Sequence, residues 1–368
     1  MRTDRPMIRP GFLPPFVLQS VAERGTPAQR ERAERALSQD AAFRTGRRMT
    51  RTRTTPHAAE NLLPPGVSGN VARDLERRVH DARKLEELPG DLVRSEGDNP
   101  TGDAAADEAY AGTGAAYDLF FDIYSRGSYD GANSPIVSSV HYGRDYANAF
   151  WNGEQLAFGD GDGELFNRFT VAPDVIAHEF SHGVVQYSPN LSYEGQSGAL
   201  NESLCDVFGV LTRQRSASVE TPTERDWLVG AGLFTDAVEG RALRSMSDPG
   251  SAFSDPVLGE DPQVGRMEDY VETEEDNSGV HIHSGIPNRA FYLAATAIGG
   301  PAWEKPGRIW YAAMTDPALT PDADFRLFAG ITTRAARLLF GQSSAEHDAV
   351  AEAFRAVGLA AEDAAGPA

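Results

Sequence analysis

The chain has a single cysteine, Cys205, among its 368 residues. It therefore cannot form an intrachain disulfide, and no metal site can be built from several thiolates. This scarcity does not assign a compartment, because an exported protein can fold without disulfides. No stretch reaches the roughly eighteen consecutive apolar residues that a membrane-spanning helix needs. A conventional secretory signal peptide is not expected, because no apolar run of about seven residues follows the basic N-terminus.

Positive charge is also scarce. Lys and Arg number 34 against 54 Asp and Glu, and the formal net charge is −20. Such a surface repels nucleic-acid phosphates and anionic lipids, so neither is an expected partner. The charge is uneven, because residues 1–49 contain ten arginines and five acidic residues and so carry +5. A basic leader therefore precedes a body with a net charge of −25.

The order of patterns along the chain predicts a leader, a linker, a strand-containing part and a helical part. Apolar residues make up 40% of the chain, which is enough for a large core. Residues 12–18 form an apolar patch, residues 44–65 are typical of an exposed linker, and 136–142 predict a strand. The predicted helices span residues 27–37, 175–186, 199–214, 285–298, 301–314, 324–339 and 345–357.

The main chemical signal is the sequence His178-Glu179-Phe180-Ser181-His182. The two histidines lie four residues apart in a predicted helix, so both imidazoles project from one face. Neutral nitrogens at this spacing can hold a zinc ion, and the carboxylate of Glu179 can take a proton from a water whose pKa zinc lowers. For this motif alone, an ordinary helix with two surface histidines is the alternative.

A second motif offers a third ligand. Catalytic zinc sites use three protein ligands and keep one position open. Glu202 and Asp206 lie four residues apart in the next predicted helix and so share a face. Glu202 can complete a set of two histidines and one glutamate, and Asp206 can accept the second ring N–H of a ligand histidine. The alternative for this pair is a solvated acidic face.

These motifs at this spacing resemble the thermolysin family of zinc endopeptidases. The resemblance extends over residues 75–358, and the leader, with Leu13-Pro14-Pro15-Phe16, resembles the short propeptide of the protealysin branch. It implies an α+β, thermolysin-like, two-lobed metalloprotease. The N-terminal lobe would be β-rich, the C-terminal lobe mainly α-helical, and the zinc-binding helix would lie between them. The implied segments are a propeptide at 1–49, an N-terminal peptidase lobe at 50–185 and a C-terminal peptidase lobe at 186–368.

The resemblance also implies which residues carry the chemistry. One zinc ion would be bound by His178, His182 and Glu202, with Asp206 behind a ligand histidine. The implied catalytic groups are Glu179 as general base, His281 held by Asp276, and Tyr193 as a second donor to the oxyanion. Preplaced donors in a dry cleft suit a developing negative charge. The plain alternatives are a helix cap for His281 and a core aromatic for Tyr193.

The substrate-binding groups follow from the same resemblance. The Asn148 side chain and the Ala149 backbone would align the substrate as an added strand, and Arg244 would bind a substrate carbonyl. An apolar pocket for the residue after the scissile bond accepts bulky apolar side chains and disfavours charge. Its implied lining is Phe166, Phe169, Val175, Val229, Leu233 and Leu243. Plain core positions are the alternative for this set, and a structural ion pair is the alternative for Arg244.

The sequence departs from the family at the calcium sites. Calcium prefers several oxygen ligands, usually carboxylates. The positions that match the family's paired calcium site are Asp174, Arg213, Asp226, Leu228 and Ala231. Three of these cannot supply a side-chain oxygen, and Arg241 stands where a further calcium loop needs an acid. We expect the double calcium site to be absent and the Arg213 guanidinium to pair with Asp174 or Asp226.

The predicted function is a zinc-dependent neutral endopeptidase made as a zymogen, with a preference for a bulky apolar residue after the scissile bond. The leader 1–49 would inhibit the enzyme until a cut within residues 44–55. The alternatives are a catalytically silent peptide-binding module of the same fold and a zinc enzyme acting on small molecules. Protein or peptide substrates, a monomer and secretion without a classical signal peptide are expected, with a cytoplasmic location as the alternative.

Overall fold

The sheet lies in the N-terminal part of the described chain, and most of the helices follow it. The structure is a computed structural model that describes residues 11–45 and 72–359, so most of the predicted linker lies outside it.

The longer strands are β1 Arg77–Asp81, β2 Asp91–Ser95, β3 Ile136–Val140, β4 Ala149–Trp151 and β5 Leu156–Phe158. Two-residue strands follow: β6 Leu228–Val229, β7 Arg244–Ser245, β8 Ser254–Asp255 and β9 Gly259–Glu260. The helices are α1 Pro15–Arg24, α2 Pro27–Thr45, α3 Ala104–Tyr124, α4 Pro173–Gln186, α5 Gly195–Ser216, α6 Asp276–His283, α7 Gly285–Ile298, α8 Lys305–Met314, α9 Phe325–Phe340 and α10 Ala345–Ala356.

The five longer strands form one sheet in the order β2-β1-β3-β5-β4. The inner strands β1, β3 and β5 are parallel, whereas β2 and β4 pair antiparallel at the two edges. The edge strand β4 carries an antiparallel bridge from Gly11 of the leader to Phe150. The leader therefore extends the sheet at β4.

Helix α3 lies in the N-terminal part and was not predicted from the sequence. The Asp103 side chain caps its start by accepting the backbone N–H of Ala106, and Ser125 ends it with a positive φ of 57°. The helix is rich in alanine, which has the highest helix propensity but gives a weak apolar pattern. It packs against α4 and so supports the helix that carries the histidine motif.

Helices α4 and α5 form the centre of the molecule. Proline at the first position of α4 fits a helix start, and every residue from 174 to 185 is buried. Gly209 of α5 faces the Asp174 carbonyl oxygen of α4, and a Cβ at Gly209 would lie only 2.7 Å from that oxygen. The missing side chain lets the two helices approach closely, which brings the His178 motif against the Glu202 motif.

The other predicted helices are confirmed with small changes of boundary. Helix α7 has the predicted bounds, α8 begins at Lys305 instead of 301, and α2 continues to Thr45 instead of 37. Within the apolar patch, the chain turns helical at Pro15, because proline at the first helical position already has the required φ. Leu13, just before the two prolines of this patch, lies in a bend of the chain and donates its backbone N–H to the Asn148 side-chain oxygen at 2.8 Å.

The leader packs directly on the body. Its apolar side chains are buried in the same core as those of the rest of the chain, and they include Phe12, Leu13, Val17, Leu18 and Val21. Polar contacts fix its helices. The Ser20 hydroxyl donates to the Val257 carbonyl at 2.8 Å, and the Arg32 guanidinium lies 2.7 Å from a Glu164 oxygen. The arginine pair matches the expected attraction between a basic leader and an acidic body.

Among the helices that the structure describes, none is both long enough and apolar enough to cross a membrane.

Candidate active site

The two histidines of α4 are held by their Nδ1 atoms. His178 Nδ1 lies 2.9 Å from an Asp206 oxygen, and His182 Nδ1 lies 3.0 Å from the Asn201 side-chain oxygen. Both partners are on α5, and all four side chains are buried. Because each carbonyl or carboxylate accepts from Nδ1–H, the lone pair of each ring is on Nε2.

The Nε2 atoms face the carboxylate of Glu202. His178 Nε2 lies 3.4 Å from one Glu202 oxygen, and His182 Nε2 lies 3.6 Å from the other. Within the described chain, neither Nε2 atom nor the Oε2 atom of Glu202 makes a hydrogen bond, although all three are buried. Buried polar atoms without partners are costly, and two imidazole nitrogens with one carboxylate suit a zinc ion.

Cys205 is an alternative candidate for the third metal ligand. His178, His182 and Cys205 together form a cluster that could hold a metal ion. However, the sulfur lies 3.2 Å from His182 Nδ1, on the side of the ring that faces Asn201, and not beside the free Nε2. Burial also raises the pKa of the thiol well above its usual value, whereas a metal ligand must be a thiolate. Glu202 therefore fits the ligand set better than Cys205.

The pKa values of the two histidines move in opposite directions. Burial lowers the pKa of His182 to about 3, which keeps its ring neutral. Burial also acts to lower the pKa of His178, but the carboxylates of Asp206 and Glu202 outweigh it and raise this pKa to about 9. A metal ion must compete with a proton for His178, because a ligating nitrogen has to be unprotonated.

Asp206 is the most connected side chain of the site. It accepts hydrogen bonds from Arg244 Nε at 2.9 Å and Nη2 at 2.7 Å, in addition to His178. The Asn288 amide donates to it as well, at 2.9 Å. Burial opposes its negative charge, but the guanidinium and the imidazole outweigh burial and hold the pKa of Asp206 at about 2. The substrate-binding candidate Arg244 and the ligand candidate His178 therefore share one carboxylate.

Glu179 is buried between the metal-ligand candidates and the sheet. Both of its carboxylate oxygens lack a hydrogen-bond partner in the described part of the chain. Burial raises its pKa to about 8. A cation held beside it would favour the carboxylate and lower this pKa toward neutrality, which is the range that a general base requires.

His281 and Tyr193 converge on the same place. His281 Nδ1 lies 2.7 Å from an Asp276 oxygen, and its Nε2 lies 3.4 Å from Glu202. The Tyr193 hydroxyl donates a hydrogen bond to Glu202 and lies 3.4 Å from His281 Nε2. Burial acts to lower the pKa of His281, but Asp276 and Glu202 outweigh it and raise this pKa. For Tyr193, burial acts in the other direction and raises the pKa of the phenol, so its hydroxyl keeps its proton.

A left-handed turn sets the position of His281. Four consecutive residues, 276–279, have positive φ values between 50° and 78°. The last of them is Gly279, where a Cβ would lie 2.4 Å from the His283 ring. The turn places the second Asp276 oxygen 2.8 Å from the His281 backbone N–H, so one carboxylate fixes both the backbone and the ring.

The Asn148 and Ala149 pair contacts the leader. Ala149 O accepts the Phe12 N–H at 3.0 Å, and Asn148 Oδ1 accepts the Leu13 N–H at 2.8 Å. The Asn148 amide lies 3.4 Å from the Leu13 carbonyl, and Arg244 Nη1 donates to the Phe12 carbonyl at 3.2 Å. All three predicted substrate-aligning groups thus contact the backbone of two consecutive leader residues, Phe12 and Leu13.

The Phe12 ring is enclosed between α4 and the segment after β6. It is fully buried, its centroid lies 5.0 Å from that of His178, and the Arg244 guanidinium lies 4.6 Å from it. Gly230 adjoins both Phe12 and Leu233. All six predicted pocket residues are buried: Phe166, Phe169, Val175, Val229, Leu233 and Leu243. Because the Leu233 side chain and the Phe12 ring both adjoin Gly230, this predicted pocket residue lies in the same region as the Phe12 ring.

Two polar residues of the site were missed by the sequence analysis. Asn201 precedes Glu202, and its spacing from His182 carries no signal that could identify it as the Nδ1 acceptor. Asn288 comes from α7, about eighty residues after Asp206, and only tertiary structure brings the two together.

Known proteins match the chain over most of its length. The family model described as "Thermolysin metallopeptidase, catalytic domain" matches residues 69–186, and that described as "Thermolysin metallopeptidase, alpha-helical domain" matches residues 189–359. An extracellular metalloprotease of Pectobacterium carotovorum subsp. carotovorum is 47% identical over 347 residues, which cover 94% of this chain and 95% of the relative. Protease PrtS of Photorhabdus sp. (strain Az29) is 39% identical over 351 residues, which cover 95% of this chain and 92% of the relative.

A solved structure is similar in fold as well as in sequence. The precursor of protealysin, a metalloproteinase from Serratia proteamaculans, superposes with a TM-score of 0.82 at 44% identity and covers 95% of this chain and 100% of its own. The expected two-part, thermolysin-like fold is thereby confirmed. The chain belongs to the thermolysin family of metallopeptidases, and it is a zinc-dependent endopeptidase with a propeptide rather than a catalytically silent module.

Proposed function

We propose that this enzyme binds one zinc ion through His178, His182 and Glu202 and uses Glu179 as the base that activates water. The observation that carries this proposal is the group of three buried, unpartnered ligand atoms beside an unpartnered Glu179 carboxylate. When bound, zinc polarises a water molecule and the substrate carbonyl and lowers the pKa of that water. Glu179 then accepts a proton from the attacking water and passes it to the leaving nitrogen.

His281 and Tyr193 supply the donors for the negative charge that develops on the carbonyl oxygen. The raised pKa of His281 favours its protonated form, and the raised pKa of Tyr193 retains the phenol proton. Both groups are buried and fixed before substrate binds, so little reorganisation is needed during the reaction. Asp276 has a positioning role, because it orients the His281 ring through Nδ1.

The substrate pairs with the β4 edge as an added strand, and the residue after the scissile bond enters the apolar pocket. Ala149, Asn148 and Arg244 are the backbone-binding groups, as their contacts with the leader support. The fully buried Phe12 ring beside His178 supports this placement of a bulky apolar side chain. We therefore expect preference for bulky apolar residues such as Phe and Leu at that position.

The leader inhibits the enzyme by covering the cleft, and the enzyme acts as a secreted protease. Residues 11–13 occupy the substrate-binding groups, while α1 and α2 hold the leader on the body. We place the end of the propeptide near residue 49 and the division between the two peptidase lobes at residues 185 and 186. Secretion is supported by the Pectobacterium relative, which is named an extracellular metalloprotease.

An internal arginine replaces the paired calcium ions. Arg213 Nε lies 3.3 Å from Asp174 Oδ2, and its Nη2 donates to the carbonyls of Asp226 at 3.0 Å and Leu228 at 2.6 Å. The same Asp174 oxygen accepts the Gly230 N–H at 3.0 Å. One guanidinium thus compensates a buried carboxylate and fixes the carbonyls of a loop, which are the two tasks of a structural cation.

The zinc ligands can be tested by replacing each of the two candidates for the third ligand, Glu202 and Cys205. Glu202→Gln removes the negative ligand, so we expect zinc affinity to fall by roughly a hundredfold or more, in line with effects of disturbing metal sites. Cys205→Ser should keep zinc affinity within about twofold, because its sulfur faces the Nδ1 side of His182. Zinc content after dialysis against graded chelator measures both, with circular dichroism to check folding. Retention of zinc by Glu202→Gln together with its loss in Cys205→Ser would reverse the assignment.

The general base can be tested by Glu179→Gln. The three ligands remain, so zinc should stay bound, whereas peptide hydrolysis should fall by roughly three orders of magnitude or more because the proton acceptor is lost. Casein or a short chromogenic peptide with Phe after the scissile bond provides the assay. The exposed Glu154→Gln serves as a charge-matched control and should retain normal turnover. Near-normal hydrolysis by zinc-loaded Glu179→Gln would contradict the proposed mechanism.

The calcium proposal predicts how stability responds to ions and to Arg213. Removing calcium with a selective chelator should leave the thermal midpoint almost unchanged. Arg213→Met should cost about 3–5 kcal/mol, because Asp174 would become a buried, unpaired charge. Arg241→Met removes an arginine from an exposed pair with Glu224 and should cost less than about 1 kcal/mol. A drop of more than a few degrees on calcium removal alone would refute the replacement.

The inhibitory role of the leader can be measured in trans. A synthetic peptide of residues 1–49 added to the mature enzyme should inhibit peptide hydrolysis, and more weakly as salt rises, because the leader carries +5 against −25 on the rest of the chain. Phe12→Ala in the peptide should weaken inhibition by roughly tenfold or more through lost apolar burial. A peptide with the exposed Glu31→Gln change is the control. Absence of inhibition at high micromolar peptide would leave the leader without an inhibitory role.

A further inference from the structure

The leader lies in the cleft in the register of a substrate and not merely across it. Gly11 bridges Phe150 antiparallel, and the next residue, Phe12, donates its N–H to the Ala149 carbonyl at 3.0 Å. Asn148 then holds the backbone of Leu13 from both sides, at 2.8 Å and 3.4 Å. The chain therefore enters antiparallel to β4 at Gly11 and continues through a bend in which Phe12 and Leu13 bond the same groups that we propose for a substrate backbone.

The side chain of Phe12 fixes which peptide bond faces the catalytic groups. Its ring is fully buried and lies edge-on to the ligand candidate His178, with an interplanar angle of 88°. Its carbonyl accepts from Arg244. Under the proposed function, this pocket takes the residue that follows the scissile bond. The bond in the scissile position is therefore the one between Gly11 and Phe12.

Two features of the sequence keep this register from sliding. Pro14 and Pro15 have no backbone N–H. If the chain slid so that either proline took the place of Phe12, the hydrogen bond to the Ala149 carbonyl would be lost. Gly11 is also in close contact with the sheet edge, because a Cβ at this position would lie 2.6 Å from the Asn148 amide nitrogen. A larger residue would push the chain away from the edge.

We infer that the precursor cuts its own Gly11–Phe12 bond within one molecule, before or alongside the cut that frees the leader. The inference rests on the proposed function. The oxygen of a water molecule bonds to the Gly11 carbonyl carbon, and the bond from that carbon to the Phe12 nitrogen breaks. Glu179 transfers a proton from the water to this nitrogen. The products are a carboxylate on Gly11 and an amino group on Phe12.

The cut leader stays on the body, so the nicked precursor remains inhibited. Only the Gly11 bridge lies before the cut, and the other contacts that anchor the leader remain with the part that begins at Phe12, including Ser20 with Val257 and Arg32 with Glu164. Buried Val17 and Val21 of α1 remain in the core as well. Removal of the leader then requires the second cut, expected within residues 44–55.

The test is a time course on the full precursor, purified with a zinc chelator and started by restoring zinc. Intact mass and N-terminal sequencing should reveal a species that begins at Phe12, together with released residues 1–11. Its first-order rate should be the same at two protein concentrations tenfold apart. Phe12→Ala should slow this cut by roughly tenfold or more, because the pocket loses its apolar occupant, whereas Phe12→Leu should keep the rate within a few-fold.

Each outcome separates this inference from the proposed function. The same samples are assayed on casein, and Glu179→Gln precursor provides the uncut reference. If casein is hydrolysed while every leader fragment retains residues 1–11, the inference is overturned and the proposed function stands. A rate of the Gly11–Phe12 cut that rises with protein concentration overturns the intramolecular step. Failure to hydrolyse casein or any chain bond overturns both.

Discussion

The buried carboxylate of Asp206 is the constraint on which the rest of the site depends. A charge with no exposed surface is costly unless it is paired and hydrogen-bonded, and Asp206 meets this condition through His178, Arg244 and Asn288. Removing one partner from such a cluster typically costs about 3–5 kcal/mol. The requirement to satisfy this carboxylate therefore fixes the tautomer of a metal-ligand candidate and the position of a substrate-binding candidate together. Under the proposed function, metal binding at His178 and substrate alignment by Arg244 share this one side chain.

The leader contacts the same groups that we propose for substrate binding. In the described chain, the Ala149 carbonyl and the Asn148 amide at the sheet edge, the Arg244 guanidinium and the apolar space beside His178 are all filled by residues 11–13. An exposed sheet edge with unpaired backbone groups is open to unwanted pairing, and the leader contacts this edge at Phe150 and Ala149. Under the proposed function, the contacts that hold the leader on the body are the same in kind as those that would hold a peptide substrate.

The sequence could predict those parts of the site that lie on one helix face or one short motif. His178 with His182, and Glu202 with Asp206, follow from the helical period, so their mutual placement needed only the packing of α4 on α5. Helix α3 was missed because its alanines give no strong apolar stripe, and Asn288 because its contact with Asp206 depends on tertiary structure. The side of the His182 ring on which Cys205 lies is likewise a matter of packing between two helices.

Arg213 extends the same principle from the candidate metal site to the proposed substrate pocket. Its guanidinium compensates the buried Asp174, and this carboxylate in turn holds the backbone N–H of Gly230, which lies against the Phe12 ring. A bound ion in that place can dissociate, whereas a side-chain cation cannot be lost by dilution or chelation. The pocket wall is therefore held by a charge that is part of the fold. Its geometry should depend on the pairing of Arg213 with Asp174, and not on the ions in the surrounding medium.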